Sequence, residues 1–351
     1  MQVTDIVVFV LVIGGLIFGH EFGHFVAARA LGVEVDEFGL GFPPRLATLF
    51  TAGRTRFTLN AIPLGGFVRP AGEDDPDVLG GLASARKPVR ATVLLAGPAA
   101  NVFLAFVAFA AAFKFAAPDP DRVLITGIVA GSPGEAAGLE RGDIVTAVEG
   151  QVVTGFDSLQ QAIAARLGQP VAIEVIREGK PLTVQLTPRL NPPEGEGPVG
   201  ITLGYPTRQV AWPEAITIGL QSTIMQFNEL VHFPGNVLSG AVAPEEARVS
   251  GLKGMYDMFS WAGEVDRSSQ RPFLTLNLIG VISIGLAVAN LLPFPALDGG
   301  RLMFVAIETL IGRRVSPRYE GLAHAVGFAI LLALMVYVNF QDFANPIVLP
   351  R

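Results

Sequence analysis

The sequence predicts an α-helical polytopic membrane protein with four transmembrane helices, a membrane-associated β-hairpin on the cytoplasmic side and one inserted extracytoplasmic α+β domain. Three observations support this fold class. Half of the 351 residues are hydrophobic and only 16% are charged, which is too apolar for an ordinary soluble enzyme. Apolar runs of membrane-spanning length recur at residues 6–31, 89–115, 273–292 and 322–340. Basic residues concentrate in loops that would share one side of the membrane.

The composition also excludes several classes of site. The chain has no cysteine, so disulfides, thiolate nucleophiles and cysteine-ligated zinc are excluded. A net charge of −6 gives no sign of nucleic-acid binding. The first five residues lack the basic region of a signal peptide, so we expect the first apolar run to be retained.

The first apolar run contains His20-Glu21-Phe22-Gly23-His24. Residues four apart share a helix face, so His20 and His24 can hold one metal ion. Glu21 lies about 100° further round the helix, where it suits a general base beside the metal. Ionisable groups at membrane depth are costly and usually persist for a function. The alternative is a chance match, with the histidines as hydrogen-bonded core residues.

A third metal ligand is predicted after the third apolar run, in the stretch NLLPFPALDGG at residues 290–300. Pro293 and Pro295 deny helical geometry to the residues before them, so the backbone must break there. Broken backbone at membrane depth survives only inside protein or beside a wet cavity. Asp298 follows this break and is our candidate third ligand, although it would also suit a helix cap. Asn290 is a candidate for orienting a ligand or holding the substrate backbone.

The loop at residues 32–90 is rich in arginine, which predicts a cytoplasmic loop and an N-terminus outside. Its segment 54–70 predicts a β-hairpin with an apolar tip. Such an edge strand can pair with an extended substrate, while an ordinary surface hairpin is equally compatible with the spacing. The candidate substrate-binding residues of this strand are Ile62, Pro63, Leu64, Gly65, Gly66 and Phe67.

The pattern divides the chain into four regions. Residues 1–116 hold the first two spans and the hairpin at about 54–70, and residues 272–351 hold the last two spans with Asp298. Residues 118–190 read as a soluble αβ module. Residues 191–271 read as a linker and an amphipathic helical region. In the second span, Asn101 of LAGPAAN needs cover from another helix, which favours a packing or hydrogen-bonding role.

The run from Gly131 to Gly150 in the soluble module resembles a PDZ domain of the bacterial protease-associated type. Such domains bind peptides by adding a strand to a sheet edge beside a helix. Residues 125–129 and the helix at 156–167 are the expected groove walls. The alternative is a module that only filters substrates by size.

Together, these motifs resemble the site-2 protease family of intramembrane zinc metalloproteases, in the bacterial branch typified by the regulator of sigma-E protease. The motifs are HEFGH, GFPP at residues 41–44, IPLGGFVRP at 62–70, LAGPAAN, the PDZ-like run and NLLPFPALDGG. The resemblance implies that His20, His24 and Asp298 bind Zn²⁺ and that Glu21 is the catalytic glutamate. It also implies that the hairpin aligns the substrate and that Asn290 handles it. The departures are a single PDZ-like module instead of two and an altered motif at Gly251.

The resulting hypothesis is zinc-dependent hydrolysis of peptide bonds within or near transmembrane segments, in a bacterial inner (plasma) membrane with the active site toward the cytoplasm. The resemblance implies single-pass membrane protein substrates, such as anti-sigma factors or remnant signal peptides. The first alternative is a non-proteolytic scaffold that binds a peptide or protein through its PDZ-like module and carries a structural metal. The second is a metal transporter, but the sequence shows one ligand cluster rather than a path across the bilayer. Iron or cobalt would also suit the ligand set.

Overall fold

The structure is a computed structural model that describes residues 3–73, 75–193, 195–241, 250–269 and 271–347. The chain forms two compact units. A helical unit combines Met1–Ala112 with Trp212–Arg351, and a second unit spans Phe113–Ala211. The second unit is therefore inserted in the sequence between the two parts of the helical unit.

The helices of the described residues are α1 (Val3–Ala30), α2 (Lys87–Ala116), α3 (Pro133–Ala136), α4 (Phe156–Ala164), α5 (Trp212–Leu238), α6 (Leu252–Ser269), α7 (Phe273–Leu291), α8 (Asp298–Ile311) and α9 (Pro317–Ala344). The strands are β1 (Val35–Ala52), β2 (Thr55–Pro70), β3 (Ala117–Pro118), β4 (Val123–Ile128), β5 (Ile144–Val148), β6 (Gln151–Val152), β7 (Val171–Arg177), β8 (Lys180–Leu186), β9 (Ile201–Gly204) and β10 (Thr207–Arg208).

In the described residues, four helices are long and apolar enough to cross a membrane, namely α1, α2, α7 and α9. Each covers one of the apolar runs in the sequence, so the prediction of a membrane protein with four apolar spanning helices is confirmed. An apolar core joins α1 to α6 and α7, with Phe9 and Ile13 packed near Tyr256, Phe259 and Ile282. This core therefore packs the first and third spans together with α6.

β1 and β2 form a long antiparallel hairpin that turns at Gly53, where φ is +63°. Residues 37–40 have partners on both sides, with residues 66–69 on one side and 56–59 on the other. The hairpin therefore begins at Val35 rather than at the predicted residue 54. The glycines and prolines of residues 39–44 interrupt the alternating pattern by which a strand is recognised, which explains the difference.

The second unit is built on a six-stranded sheet in the order β8-β7-β5-β4-β9, with β6 paired to β5. Helix α4 packs its apolar face onto this sheet through Leu159 and Ile163. Buried valines and isoleucines of β4, β5 and β7 supply the rest of the core. The unit is therefore an α+β module with one layer of sheet and a covering helix.

The sequence places the end of this module at residue 190, whereas the unit reaches Ala211. The reason is β9, which pairs with β4 through Ile125 opposite Leu203 and Ile128 opposite Ile201. This pairing also corrects the expected groove. β9 pairs along residues 124–128 of β4, so the outer strand at this end of the sheet is β9 and not the predicted residues 125–129.

Two further helices in the predicted linker region belong to the helical unit. The buried face of α5 holds Ala215, Gly219 and Thr223, and a Cβ on Gly219 would lie 2.7 Å from the backbone of Ala110 in α2. α6 lies at the end of residues 191–271, the predicted linker and amphipathic helical region. Residues 242–249 and 270 lie outside the described residues.

Candidate metal centre

Three side chains that are far apart in the sequence converge inside the helical unit. His20 and His24 lie one turn apart on α1, and both imidazoles are buried. The Oδ2 atom of Asp298 lies 3.0 Å from Nε2 of His20 and 3.2 Å from Nε2 of His24. The two Nε2 atoms are 3.1 Å apart. Among the described residues, this is the group of histidine and acidic side chains that could hold one metal ion.

Asp298 reaches this position because the chain leaves helical geometry after α7 and restarts as α8. α7 ends at Leu291, the residues around Pro293 and Pro295 are not helical, and Asp298 is the first residue of α8. The start of α8 is tightly packed against the preceding loop. A Cβ on Gly299 would overlap the carbonyl oxygen of Leu292, so the glycine after Asp298 is required for this close approach.

Backbone and amide groups of α2 orient the two histidines. The Nδ1 atom of His24 lies 2.7 Å from the carbonyl oxygen of Val93, to which it can only donate a proton. This donation fixes the tautomer that leaves Nε2 of His24 unprotonated and free to bind a metal. The Nδ2 atom of the buried Asn101 lies 3.3 Å from Nδ1 of His20, and Oδ1 of Asn101 has no hydrogen-bond partner among the described residues. A 180° rotation of the amide exchanges these two atoms, and Oδ1 in that position would accept a hydrogen bond from Nδ1–H of His20 and orient this ring in the same way.

Gly97 of α2 faces the Nε2 atoms of the two imidazoles. A Cβ at this position would lie 2.7 Å from Nε2 of His20 and would overlap Nε2 of His24. The absence of a side chain therefore leaves space beside the ligand atoms. The motif LAGPAAN contains both Gly97 and Asn101, but sequence reasoning singled out only the asparagine. The signal for Gly97 was its place one helical turn before Asn101.

The three ligand atoms fit a tetrahedral zinc ion. Zinc–nitrogen and zinc–oxygen bonds of about 2.0–2.2 Å put neighbouring ligand atoms about 3.3–3.5 Å apart. The observed separations of 3.0–3.2 Å are close to that geometry. Within the described residues, Oδ2 of Asp298 is buried without a hydrogen-bond donor. Buried carboxylate oxygens normally have a partner, and a bound cation would supply one here. Two imidazoles and one carboxylate also leave a fourth position for a water or a substrate.

Glu21 lies beside the ligands and not among them. Its Oε2 accepts a hydrogen bond of 2.9 Å from the backbone N–H of Val68 in β2. This contact joins the glutamate on α1 to the edge of the hairpin. The segment of β2 nearest to Val68 therefore runs past the metal centre, with a backbone N–H directed at Glu21.

The other predicted substrate-binding residues lie along this strand and on α7. Ile62 is 43% exposed, and Gly65 packs so tightly on Ile17 of α1 that a Cβ would lie 2.5 Å away. Gly66 lies opposite Leu40 and Phe67 opposite Gly39 in the hairpin. The side chains of Pro63 and Leu64 lie outside the described residues. Asn290 is half-buried near the end of α7 and donates to the carbonyl oxygen of Leu286, 3.1 Å away.

Comparisons with known proteins agree with this chemistry. The model of Peptidase family M50 matches residues 8–334. The chain is 27% identical to the zinc metalloprotease RasP of Geobacillus kaustophilus, over 96% of this chain and 97% of that protein. It is 30% identical to a Brucella suis protein, over 97% of this chain and 96% of the relative. It is 32% identical to a Clostridium perfringens protein, over 96% of this chain and 98% of the relative. Both of these carry the name "Putative zinc metalloprotease".

Proposed function

Since the chain belongs to peptidase family M50 and is a membrane zinc metalloprotease, we propose that it hydrolyses peptide bonds within or near transmembrane segments of membrane proteins. The observation that carries this proposal is the convergence of His20, His24 and Asp298 to within 3.0–3.2 Å. Because α1 is apolar and of membrane-spanning length, a peptide bond that reaches this cluster lies at membrane depth.

In the proposed mechanism, the imidazoles of His20 and His24 and the carboxylate of Asp298 hold the zinc ion. Bound zinc supplies a Lewis acid that polarises the scissile carbonyl and lowers the pKa of a water molecule to about 7. Glu21 accepts a proton from the attacking water and later donates it to the leaving amine. Val93 and Asn101 keep the imidazoles in the orientation that presents Nε2.

The substrate must unwind before cleavage, because peptide bonds in a helix are shielded by their own hydrogen bonds and side chains. We propose that residues 62–68 of β2 receive the unwound segment as an added strand, with Asn290 as a further contact. The hydrogen bond of 2.9 Å from Val68 N–H to Oε2 of Glu21 supports this placement, because it brings β2 next to the proposed general base. Strand pairing would give hydrogen-bond partners to the backbone N–H and C=O groups of the unwound substrate, which lipid cannot provide.

The hairpin itself is proposed to enter the membrane surface. Its far half carries exposed apolar side chains, including Leu46, Leu49 and Phe50, the first of which is 67% exposed. An apolar patch on a membrane protein is stable when lipid covers it. The arginines of the same loop support a cytoplasmic side for the hairpin and the active site, and an extracytoplasmic side for the second unit, in a bacterial inner membrane.

We propose that the second unit is a PDZ-like module that binds an extended peptide or filters substrates by size. The supporting feature is an apolar groove of about 320 Å³ between α4 and β9. Leu159 and Ile163 form one wall, and Ile201 and Leu203 form the other. β9 is the edge strand of the sheet, so a peptide could pair with it there. Single-pass membrane proteins, such as anti-sigma factors or remnant signal peptides, are the proposed substrates.

The test uses purified full-length protein and a model single-pass substrate. We expect Glu21→Gln to lower the cleavage rate by at least about 100-fold, because general acid–base catalysis typically contributes that much. Its zinc content should stay at the wild-type level, since Glu21 lies outside the ligand set. Glu229→Gln on the exposed face of α5 is the matched control and should cleave normally.

Two outcomes would contradict the proposal. The first is undiminished cleavage by Glu21→Gln, which would remove the glutamate from the reaction. The second is a zinc-loaded wild-type protein that binds membrane substrates without cutting them, which is the behaviour of a scaffold with a structural metal. Removal of zinc with a chelator should abolish cleavage, and added zinc should restore it.

A further inference from the structure

The helical unit contains a partly buried histidine that takes no part in the proposed ligand set. His324 lies on α9 with 14% of its side chain exposed. Its Nδ1 accepts a hydrogen bond of 2.7 Å from the backbone N–H of Ala296. Ala296 is two residues before Asp298, in the loop between α7 and α8. His324 therefore contacts the chain segment that delivers the third metal ligand.

The backbone conformation of this segment requires support. Ala296 has φ of +81°, in the left-handed region that residues with a Cβ rarely adopt. A residue in that conformation persists only where surrounding contacts hold it. The hydrogen bond from Ala296 to His324 is such a contact, and it fixes the direction of the peptide unit just before Leu297 and Asp298.

Two other contacts position the imidazole and the loop relative to each other. The ring of His324 packs against Phe304 of α8, with ring centres 5.6 Å apart. One turn along α9, a Cβ on Gly327 would overlap the carbonyl oxygen of Pro295. α9 thus meets the loop at Gly327 and His324, and it meets α8 at Phe304. These three contacts join α9 to both sides of Asp298.

We propose that His324 is a positioning residue of the metal centre, which holds the loop at residues 292–297 in the conformation that presents Asp298 to His20 and His24. The inference rests on the proposed function of those three residues as zinc ligands. His324 touches neither the ligands nor the substrate in this role. It acts through the backbone N–H of Ala296, which donates to Nδ1 of His324. The role therefore requires a hydrogen-bond acceptor at the position of Nδ1.

The test variants keep or remove a hydrogen-bond acceptor for the backbone N–H of Ala296. In His324→Asn, the side-chain oxygen can occupy the position of Nδ1 and accept the same hydrogen bond. In His324→Gln, the amide extends toward the position of Nε2 and leaves Nδ1 unreplaced. In His324→Leu, the acceptor is removed and apolar bulk is kept. Ala296→Gly allows a positive φ without strain, so it should partly compensate for a lost acceptor.

The experiment measures zinc affinity of full-length protein by competition with a chelator, and the visible spectrum of the cobalt-substituted protein. We expect His324→Leu and His324→Gln to bind zinc about 10–100-fold more weakly, the usual effect of losing an outer-shell partner. The cobalt spectrum should change as well. His324→Asn should retain the wild-type affinity and spectrum, and Ala296→Gly should restore part of the affinity of His324→Leu. His232→Leu, at an exposed histidine of α5, is the control and should have no effect.

The outcomes separate this inference from the proposed function. Asp298→Ala is measured in the same series, and unchanged zinc affinity in that variant would refute the ligand set itself. If Asp298→Ala weakens zinc binding while His324→Leu and His324→Gln bind as the wild type does, only the role of His324 is overturned. Equal losses in His324→Asn and His324→Gln would also overturn it. If His324→Leu fails to fold, the zinc affinities of His324→Asn and His324→Gln alone test the role of His324.

Discussion

At the scale of single residues, the metal centre depends on a glycine as much as on its ligands. Gly97 brings α2 against the imidazoles, and a methyl group there would occupy the space of the ligand atoms. We expect Gly97→Ala to weaken zinc binding by at least about 10-fold, comparable to the loss of an outer-shell partner. Chelator competition measures the change.

The control for this substitution is Gly15→Ala on α1, because a Cβ at Gly15 meets no atom of the described residues within 4 Å. That variant should bind zinc as the wild type does, and its helix should be slightly more stable. Wild-type zinc affinity in Gly97→Ala would show that the imidazoles do not use the space beside Gly97.

At the scale of elements, α2 and α8 are joined by an ion pair away from the metal. Nη1 of Arg90 lies 2.5 Å from Oε2 of Glu308, whose side chain is 1% exposed. Nζ of Lys87 also donates to the backbone carbonyl of Glu308, 2.9 Å away. Because α2 orients His24 and α8 carries Asp298, this pair fixes the two elements that meet at the metal centre.

Loss of one partner of this pair should be strongly destabilising. We expect Glu308→Ala to reduce the free energy of unfolding by about 3–5 kcal/mol, because it leaves the Arg90 guanidinium buried without its carboxylate. Thermal unfolding of the purified protein in detergent measures the loss. The double variant Arg90→Leu with Glu308→Leu should recover much of the stability, and a double variant as unstable as Glu308→Ala would contradict the explanation.

In the second unit, a buried carboxylate joins the segment before β5 to β7. Asp143 accepts two hydrogen bonds of 2.7 Å from Arg177 and one of 2.9 Å from the N–H of Glu140. Burial alone would raise the pKa of Asp143, but the hydrogen bonds from Arg177 and Glu140 and the positive charge of Arg177 hold this pKa below its usual value.

A depressed pKa makes the stability of the second unit depend on pH in one direction. The contribution of Asp143 is present above its unfolded pKa of about 3.9 and is lost as the pH falls through the lower folded value. We expect Asp143→Asn to destabilise the unit by about 1–3 kcal/mol at pH 7 and to weaken its acid sensitivity. Thermal unfolding between acidic and neutral pH tests this, with exposed Asp121→Asn as the control. Equal acid sensitivity in Asp143→Asn and the wild type would contradict the assignment.

At the scale of the whole molecule, the sequence was informative where a feature is local. The spans follow from runs of apolar residues, and the break before Asp298 follows from Pro293 and Pro295. The spacing of His20 and His24 places both on one helix face. These features need only helical periodicity and proline chemistry, so they could be predicted without knowledge of neighbouring elements.

Features that depend on distant pairing were not predictable. β9 lies beyond the expected end of the soluble module, and its partner β4 is more than 70 residues earlier. The double pairing of residues 37–40 is likewise a property of the folded hairpin. The roles of Val93 and Gly97 depend on how α2 crosses α1, and the role of His324 depends on how α9 meets the loop. Apart from the spacing of one helical turn between Gly97 and Asn101, none of these contacts has a periodic signature in the sequence.

We propose that one helix, α1, and the start of a second helix, α8, converge on one zinc ion. The most direct test is the zinc affinity of full-length protein, compared between the wild type and Asp298→Ala. We expect one tightly bound zinc per chain in the wild type. We also expect a loss in Asp298→Ala that exceeds the roughly 10–100-fold effect of an outer-shell substitution. Wild-type zinc affinity in Asp298→Ala would contradict this proposal.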